Sequence, residues 1–237
     1  MSMCGIDRGN ILKQMINAVF ILIFWPLNLL AQGSAVTSVE PGVQIWNELK
    51  GEKLEALRLR GDAARGEEAF VVCQGCHKQG ATGSASGVYP RLAGQHATVL
   101  IEQMADIRSG KRMNQKMAPF ADEHVLTIQE ITDIAAYLQA LPIPPNIGTG
   151  PGDALARGNE LYAKDCATCH GKSGEGKADK FFPLVAGQHF KYLLREVRFI
   201  RDGQRGNANP DMVIVIKGYR DEDLEAVADY MSRLVAP

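Results

Sequence analysis

Cys73-Gln74-Gly75-Cys76-His77 and Cys166-Ala167-Thr168-Cys169-His170 repeat one pattern, Cys-x-x-Cys-His, at an offset of 93 residues. The spacing has a chemical reason. Side chains three apart share one face of a helical turn, so two thiols placed there can form thioethers with the two vinyl groups of one porphyrin. The histidine that follows is carried beneath the ring, where its imidazole can bind iron. Other uses of paired cysteines fit less well. A thioredoxin-like pair needs a preceding strand and has no use for the histidine. Zinc-binding pairs usually lie about 15–20 residues apart, far closer than these. A disulfide closed within each pair would be small and strained. The reading is two covalently attached haem c groups, held through Cys73 and Cys76 and through Cys166 and Cys169, with His77 and His170 as axial ligands.

The repetition extends beyond the cysteines. Tyr89-Pro90 through His96 matches Phe182-Pro183 through His189, Arg108 to Arg112 matches Arg201 to Arg205, and Ile131 to Leu138 matches Leu224 to Met231. A proline- and glycine-rich linker separates the copies. The expected layout is a first domain over 62–142, a linker over 143–152 and a second domain over 153–237. Apolar periodicity predicts three helices per copy. The first runs into each motif, over 63–73 and 154–166. The second follows Gly-Gln-His, where Val99, Leu100, Met104 and Ile107 are answered by Tyr192, Leu193, Val197 and Ile200. The third covers 127–141 and 220–234. Thr127 with Glu130 resembles a capping box, and Asp221 is a looser start signal. No alternating apolar run reaches strand length, so the fold class is all-α, two tandem domains wrapped around their cofactors.

Arg8 and Lys13 precede an apolar stretch from Met15 to Leu30, followed by small residues to Ala35. This is a secretory signal layout, with cleavage expected after Ala35. The alternative is an uncleaved anchor, for which the run is short and broken by Asn17, Pro26 and Asn28. Cys4 would leave with the signal. Residues 36–61 form an extension in which Gln44 to Arg60 is amphipathic. Trp46, Leu49, Leu54 and Leu57 are expected to pack a short helix, interrupted by Gly51, on the first domain. Two domains of about 80 residues are small for self-sufficient cores, and a buried porphyrin supplies the missing apolar volume. The formal net charge is −1, which argues against nucleic-acid binding.

A haem iron held by one histidine has an opposite side to fill, and a thioether there suits an electron carrier. In the second copy Met212, on the loop between the second and third helices, is preferred to Met231, which reads as core. In the first copy Met117 is preferred, with Met113 second. Repeat register places Met117 opposite Pro210, two residues from Met212. His96 and His189 compete as ligands, or else make hydrogen bonds at the entry to the second helix. His124 reads as a surface residue. Pro90 and Pro183 each lie 13 residues beyond an axial histidine, where a carbonyl can accept from Nδ1–H and orient the ring.

These motifs resemble the two-haem class I cytochromes c, in particular the cytochrome c4 group. The resemblance rests on both Cys-x-x-Cys-His motifs, on Tyr89-Pro90-x-Leu92-Ala93-Gly94-Gln95-His96 with Phe182-Pro183-x-x-Ala186-Gly187-Gln188-His189, and on the last helices, over about residues 62–237. It implies periplasmic transfer of electrons between a membrane quinol-oxidising complex and a terminal oxidase or reductase. It also implies His77/Met117 and His170/Met212 ligation and two domains facing across a pseudo-twofold. In that family the methionine commonly lies seven residues before the last helix begins, an interval that Met212 keeps to Tyr219 and Met117 exceeds by two.

The leading functional reading is a one-electron shuttle with redox-protein partners and no organic substrate. The electron-accepting subunit of a periplasmic dehydrogenase is a second. A two-haem peroxidase is a third, disfavoured because each copy offers a methionine to close the iron. Lys191, Arg195, Arg198, Arg201 and Arg205 recur at helical spacing and form either a docking surface for an acidic partner or a solvated helix face.

Overall fold

The computed structural model describes residues 46–145 and 148–235; the signal-like segment, Cys4 and the extension before Trp46 lie outside them. Among the described residues the only β pairing is an isolated bridge between Lys177 and Phe182. Helix α1 (Gly51–Arg58) belongs to the extension. In the first domain α2 (Ala63–Phe70) passes through a 3-10 turn at Val71–Cys73 into the short α3 (Gln74–His77). It is followed by α4 (Ala97–Arg108), α5 (Ala118–Ala121) and α6 (Ile128–Ala140). The second domain has α7 (Leu155–Leu161), a π turn at Tyr162–Cys166, α8 (Ala167–His170), α9 (Phe190–Arg201), α10 (Pro210–Ile216) and α11 (Asp221–Arg233).

Local chemistry sets the helix ends. Asp62 caps α2 by accepting from the amides of Ala64 and Arg65. The Thr127–Glu130 capping box closes on both sides, at 3.1 and 2.7 Å. Its counterpart differs from expectation. Arg220 occupies the cap of α11 and makes no capping bond to the helix amides, while Asp221, Glu222 and Asp223 fill the first turn and complement the helix dipole.

The first and last long helices of each domain cross at a glycine. A Cβ on Gly66 would overlap the Asp133 carbonyl, and one on Gly158 the Ala226 carbonyl. Beside each crossing two rings meet, Phe70 with Tyr137 at 5.8 Å and Tyr162 with Tyr230 at 5.5 Å. Asp133 and Ala226 keep the offset of 93, but Gly66 to Gly158 and Phe70 to Tyr162 are 92. The second domain therefore has one extra residue between Tyr162 and Cys166. The π turn absorbs it, which lets the helix keep its crossing while delivering the cysteines in register.

Two expectations for the extension change. Gly51, at φ 53°, begins α1 instead of interrupting it. The helix packs on the first domain, through Ala56 and Leu57 and the pairs Lys53–Asp106 and Glu52–Arg108. Leu49 is 47 % exposed. Trp46 reaches the second domain, where it stacks on Phe182 at 6.4 Å and donates Nε1–H to the Asn207 carbonyl. The described part of the linker is stitched down as well. Ile143 packs at Gly94, Phe190 N donates to Gly148 O, and Gly152 N donates to Asp229.

Candidate functional site

Both Cys-x-x-Cys-His turns open onto one cavity that extends through the two domains. Cys73, Cys76, His77 and Met117 line its first end, and Cys166, Cys169, His170 and Met212 its second. Apolar walls come from α4 and α6 in one domain, among them Leu100, Met104, Ile131 and Ile134, and from α9 and α11 in the other, among them Leu193, Val197, Leu224 and Val227. His77 and His170 are buried. Their Nδ1 atoms lie 3.2 and 3.0 Å from the carbonyl oxygens of Pro90 and Pro183. Each imidazole thus donates Nδ1–H to a rigid carbonyl and keeps the Nε2 lone pair for a metal. Burial holds both imidazoles below the ordinary histidine value, against the opposing carbonyl bond, so they are neutral donors of the kind iron requires. The residues fit haem: paired thiols, a neutral oriented imidazole, a thioether and an apolar wall at each end.

The methionine sides differ in construction. Met117 immediately precedes α5, whose Pro119 follows it by two residues. Met212 is not on a loop but in the first turn of α10, whose Pro210 precedes it by two. The helix starts after the methionine in one domain and before it in the other, and this accounts for the two-residue offset. Equivalent arginines tie both segments back. Arg108 donates to the Leu126 carbonyl and Arg201 to the Tyr219 carbonyl. Met113 is 80 % exposed, whereas Met231 is core and also lines the cavity.

His96 and His189 serve the seam between domains. His96 Nε2 lies 2.7 Å from Glu175 O, and His189 Nε2 lies 2.8 Å from Thr82 O. Gln95 exchanges two bonds with the backbone of Leu184, and Gln188 exchanges two with that of Arg91, at 2.9–3.0 Å. Thr82 and Glu175 are equivalent positions, as are Arg91 and Leu184, so each Gln-His pair reads the other copy's backbone across a pseudo-twofold. Arg91 breaks the symmetry. Its guanidinium donates to Ala93 O and Ala186 O and is 2 % exposed. Burial pushes it down to about 10.

A second reciprocal set lies nearby. Arg112 donates to Gln103 and Glu196, and its equivalent Arg205 donates to the same two residues. Gln103 and Glu196 are themselves equivalent. Burial would raise the Glu196 carboxyl, but Arg205, Arg112 and Arg195 hold it below the usual range. Asn207 adds bonds to Gln103 and Asp106. Sequence reasoning missed this set because it read Arg205 with Arg195, Arg198 and Arg201 as one basic face. The structure divides that face. Arg195 donates to Gly87 O and Glu196, Arg198 pairs with Asp221 and Glu225, Arg201 pairs with Asp202 and Asp221, and Arg205 is half-buried at the seam. Four of the five cations are engaged within the chain, so the stripe is not a row of free charges.

Residues 63–142 match the family model described as cytochrome c, and residues 153–231 match that of the cbb3-type cytochrome c oxidase subunit III. A cytochrome c4 of Pseudomonas aeruginosa is 33 % identical over 184 residues, 73 % of this chain and 89 % of the relative. A thiosulfate dehydrogenase electron acceptor of Stutzerimonas stutzeri is 31 % identical over 205 residues, 78 % of this chain and 94 % of the relative. The crystal structure of reduced cytochrome c4 from Pseudomonas stutzeri superposes with a TM-score of 0.68 at 27 % identity, over 74 % of this chain and all of that one. With two haem-attachment turns on one pseudo-twofold seam, the chain belongs to the cytochrome c4 family, dihaem electron-transfer cytochromes with two covalently bound haem c groups.

Proposed function

We infer that the chain is a periplasmic carrier of single electrons, with His77 and Met117 ligating the first iron and His170 and Met212 the second. The observation that carries this reading is that each Cys-x-x-Cys-His turn shares its cavity with a methionine held by the segment after the second long helix. Haem supplies a one-electron Fe(III)/Fe(II) couple there, which a thioether biases toward Fe(II). The chain's own contribution is to orient the imidazoles through Pro90 and Pro183, exclude water with apolar walls, and bond the two domains together across the seam. A methionine at each end supports a carrier, with no iron position for a substrate, over a peroxidase.

Export is supported by the Arg8/Lys13 segment ahead of the apolar run. On this reading the partners are redox proteins, a quinol-oxidising membrane complex as donor and a terminal oxidase or reductase as acceptor. The Stutzerimonas relative favours a second reading, in which a periplasmic dehydrogenase is the donor. The test counts haems per purified chain and records the oxidised spectrum. It then offers the protein to quinol-oxidising membranes and, separately, to thiosulfate dehydrogenase. Two low-spin haems with the methionine-to-iron charge-transfer band, reduced faster by the membranes, are expected. Faster reduction by the dehydrogenase would establish the second reading, and a high-spin or bis-histidine spectrum would refute the ligation.

A further inference from the structure

The π turn of the second domain carries an acidic residue that the first domain lacks. Within the π turn Asp165 immediately precedes Cys166, and its Oδ2 accepts a 2.6 Å hydrogen bond from Tyr219 OH. Both residues line the second end of the cavity. The bond joins the chain entering the attachment motif to the chain leaving the Met212 helix. At the corresponding places the first domain has Val72, which is exposed, and Leu126, which lies in the apolar core. The Asp165 carboxylate at the second cavity end therefore has no counterpart at the first; Asp211, beside Met212, also lines the second end but takes no part in this bond. Lys164 lies 3.5 Å from the same carboxylate, but its ammonium is largely exposed and screened by water. Burial and the Asp165 bond hold the Tyr219 phenol above its ordinary value, so it remains a donor and adds no second anion.

We propose that Asp165, oriented by Tyr219, lowers the reduction potential of the second haem and thereby sets how one electron is shared between the two haems. A fixed negative charge favours the ferric centre, which carries one more positive charge than the ferrous one. The inference rests on His170/Met212 ligation of the second iron.

Spectroelectrochemical titration of the dihaem protein tests it. Asp165→Asn keeps the shape and an acceptor for Tyr219 and removes only the charge. One midpoint should rise, changing the reduced-to-oxidised ratio at fixed ambient potential by about threefold to tenfold, where tenfold is about 59 mV for one electron. The other midpoint should stay. Tyr219→Phe keeps the charge and removes the dipole that offsets it, so the same midpoint should fall. Met212→His identifies the second-domain midpoint by driving it down. With the methionine band intact, two unmoved midpoints in Asp165→Asn, or a shift in the other haem, would overturn the inference. Absence of that band in the unmodified protein would instead strike the ligation, and the inference with it.

Discussion

Gln95 and Leu184 exchange two hydrogen bonds across the domain seam, Nε2 to the Leu184 carbonyl at 3.0 Å and the Leu184 amide to Oε1 at 2.9 Å. A planar amide that presents donor and acceptor side by side is the side chain that can satisfy a backbone N–H and C=O at once. Gln95→Leu leaves both backbone groups buried and unpaired, at about 1–3 kcal/mol each. Denaturant melts of the haem-loaded protein should show a loss of about 2–6 kcal/mol, and Gln188→Leu should match it because it breaks the equivalent pair with Arg91. Combining the two should cost less than their sum, since one seam is opened twice. Strict additivity would mean that the two pairs act as independent local contacts.

Met117 and Met113 separate cleanly as sixth-ligand candidates. Met117 lines the cavity that holds His77, while Met113 stands 80 % exposed. Met117→Ala is expected to halve the methionine charge-transfer absorbance and convert one haem to high spin. Met113→Ala should leave spectrum and midpoints unchanged. The reverse pattern would reassign the ligand.

Legibility from sequence followed where the chemistry is local. The Cys-x-x-Cys-His spacing puts Cys73, Cys76 and His77 around one turn, and the structure places Pro90 and Pro183 against the imidazoles at the interval the sequence pointed to. A methionine can be brought to the cavity from whatever turn its segment makes. Pro119 after Met117 and Pro210 before Met212 show two solutions that no fixed interval predicts. The seam was hidden for a different reason. Gln95, Gln188, His96 and His189 bond to main-chain atoms of the other copy, and a carbonyl leaves no mark in the residue that bears it. What the sequence did carry was the repetition of Gly-Gln-His, whose expected uses, as iron ligands or as hydrogen bonds at the entry to the second helix, lay within one domain. Gly66 and Gly158, at 92 where the cysteines stand at 93, held the trace of the π turn, which a single offset drawn through the motifs passes over.

Arg205 and Arg112 are equivalent in the repeat but not in what their loss leaves behind. Both donate to Glu196, whose second oxygen accepts from Arg195. Burial and the neighbouring Arg112 hold the Arg205 guanidinium below its ordinary value, whereas the Tyr192 hydroxyl and Glu196 raise that of Arg112 against its burial. Arg205→Met removes the less favourably placed cation and a bond to Asn207, while Arg112→Met removes the one that Tyr192 and Glu196 stabilise. Both variants should lose stability, on the order of 3 kcal/mol for breaking a buried pair, with Arg112→Met losing more. Equal losses measured by chemical denaturation would show that the shared carboxylate alone sets the cost.

The seam also predicts a pH dependence. Glu102 stands at the position equivalent to Arg195, is 3 % exposed, and accepts a hydrogen bond from Gln103 Nε2 at 3.3 Å. Burial pushes its carboxyl up to about 7, Asp106 adds to the rise, and Lys53, Lys111 and Arg205 oppose it. In the unfolded chain a glutamate titrates at about 4.3. Between those values the folded protein holds a proton that the unfolded chain has released. This contribution to stability is therefore complete below about pH 4.3 and is lost as the pH rises through about 7. Glu102→Gln keeps an amide in place of the protonated acid and has nothing to titrate. The variant and the parent should be equally stable near pH 4.5. By pH 8 the variant should lead by an amount on the order of 3 kcal/mol, because each tenfold difference in proton affinity between the folded and unfolded chain is worth about 1.4 kcal/mol. Guanidinium melts of the haem-loaded proteins across that range give the difference directly, and because every other carboxylate is common to both, curves that stay parallel would place the Glu102 proton elsewhere.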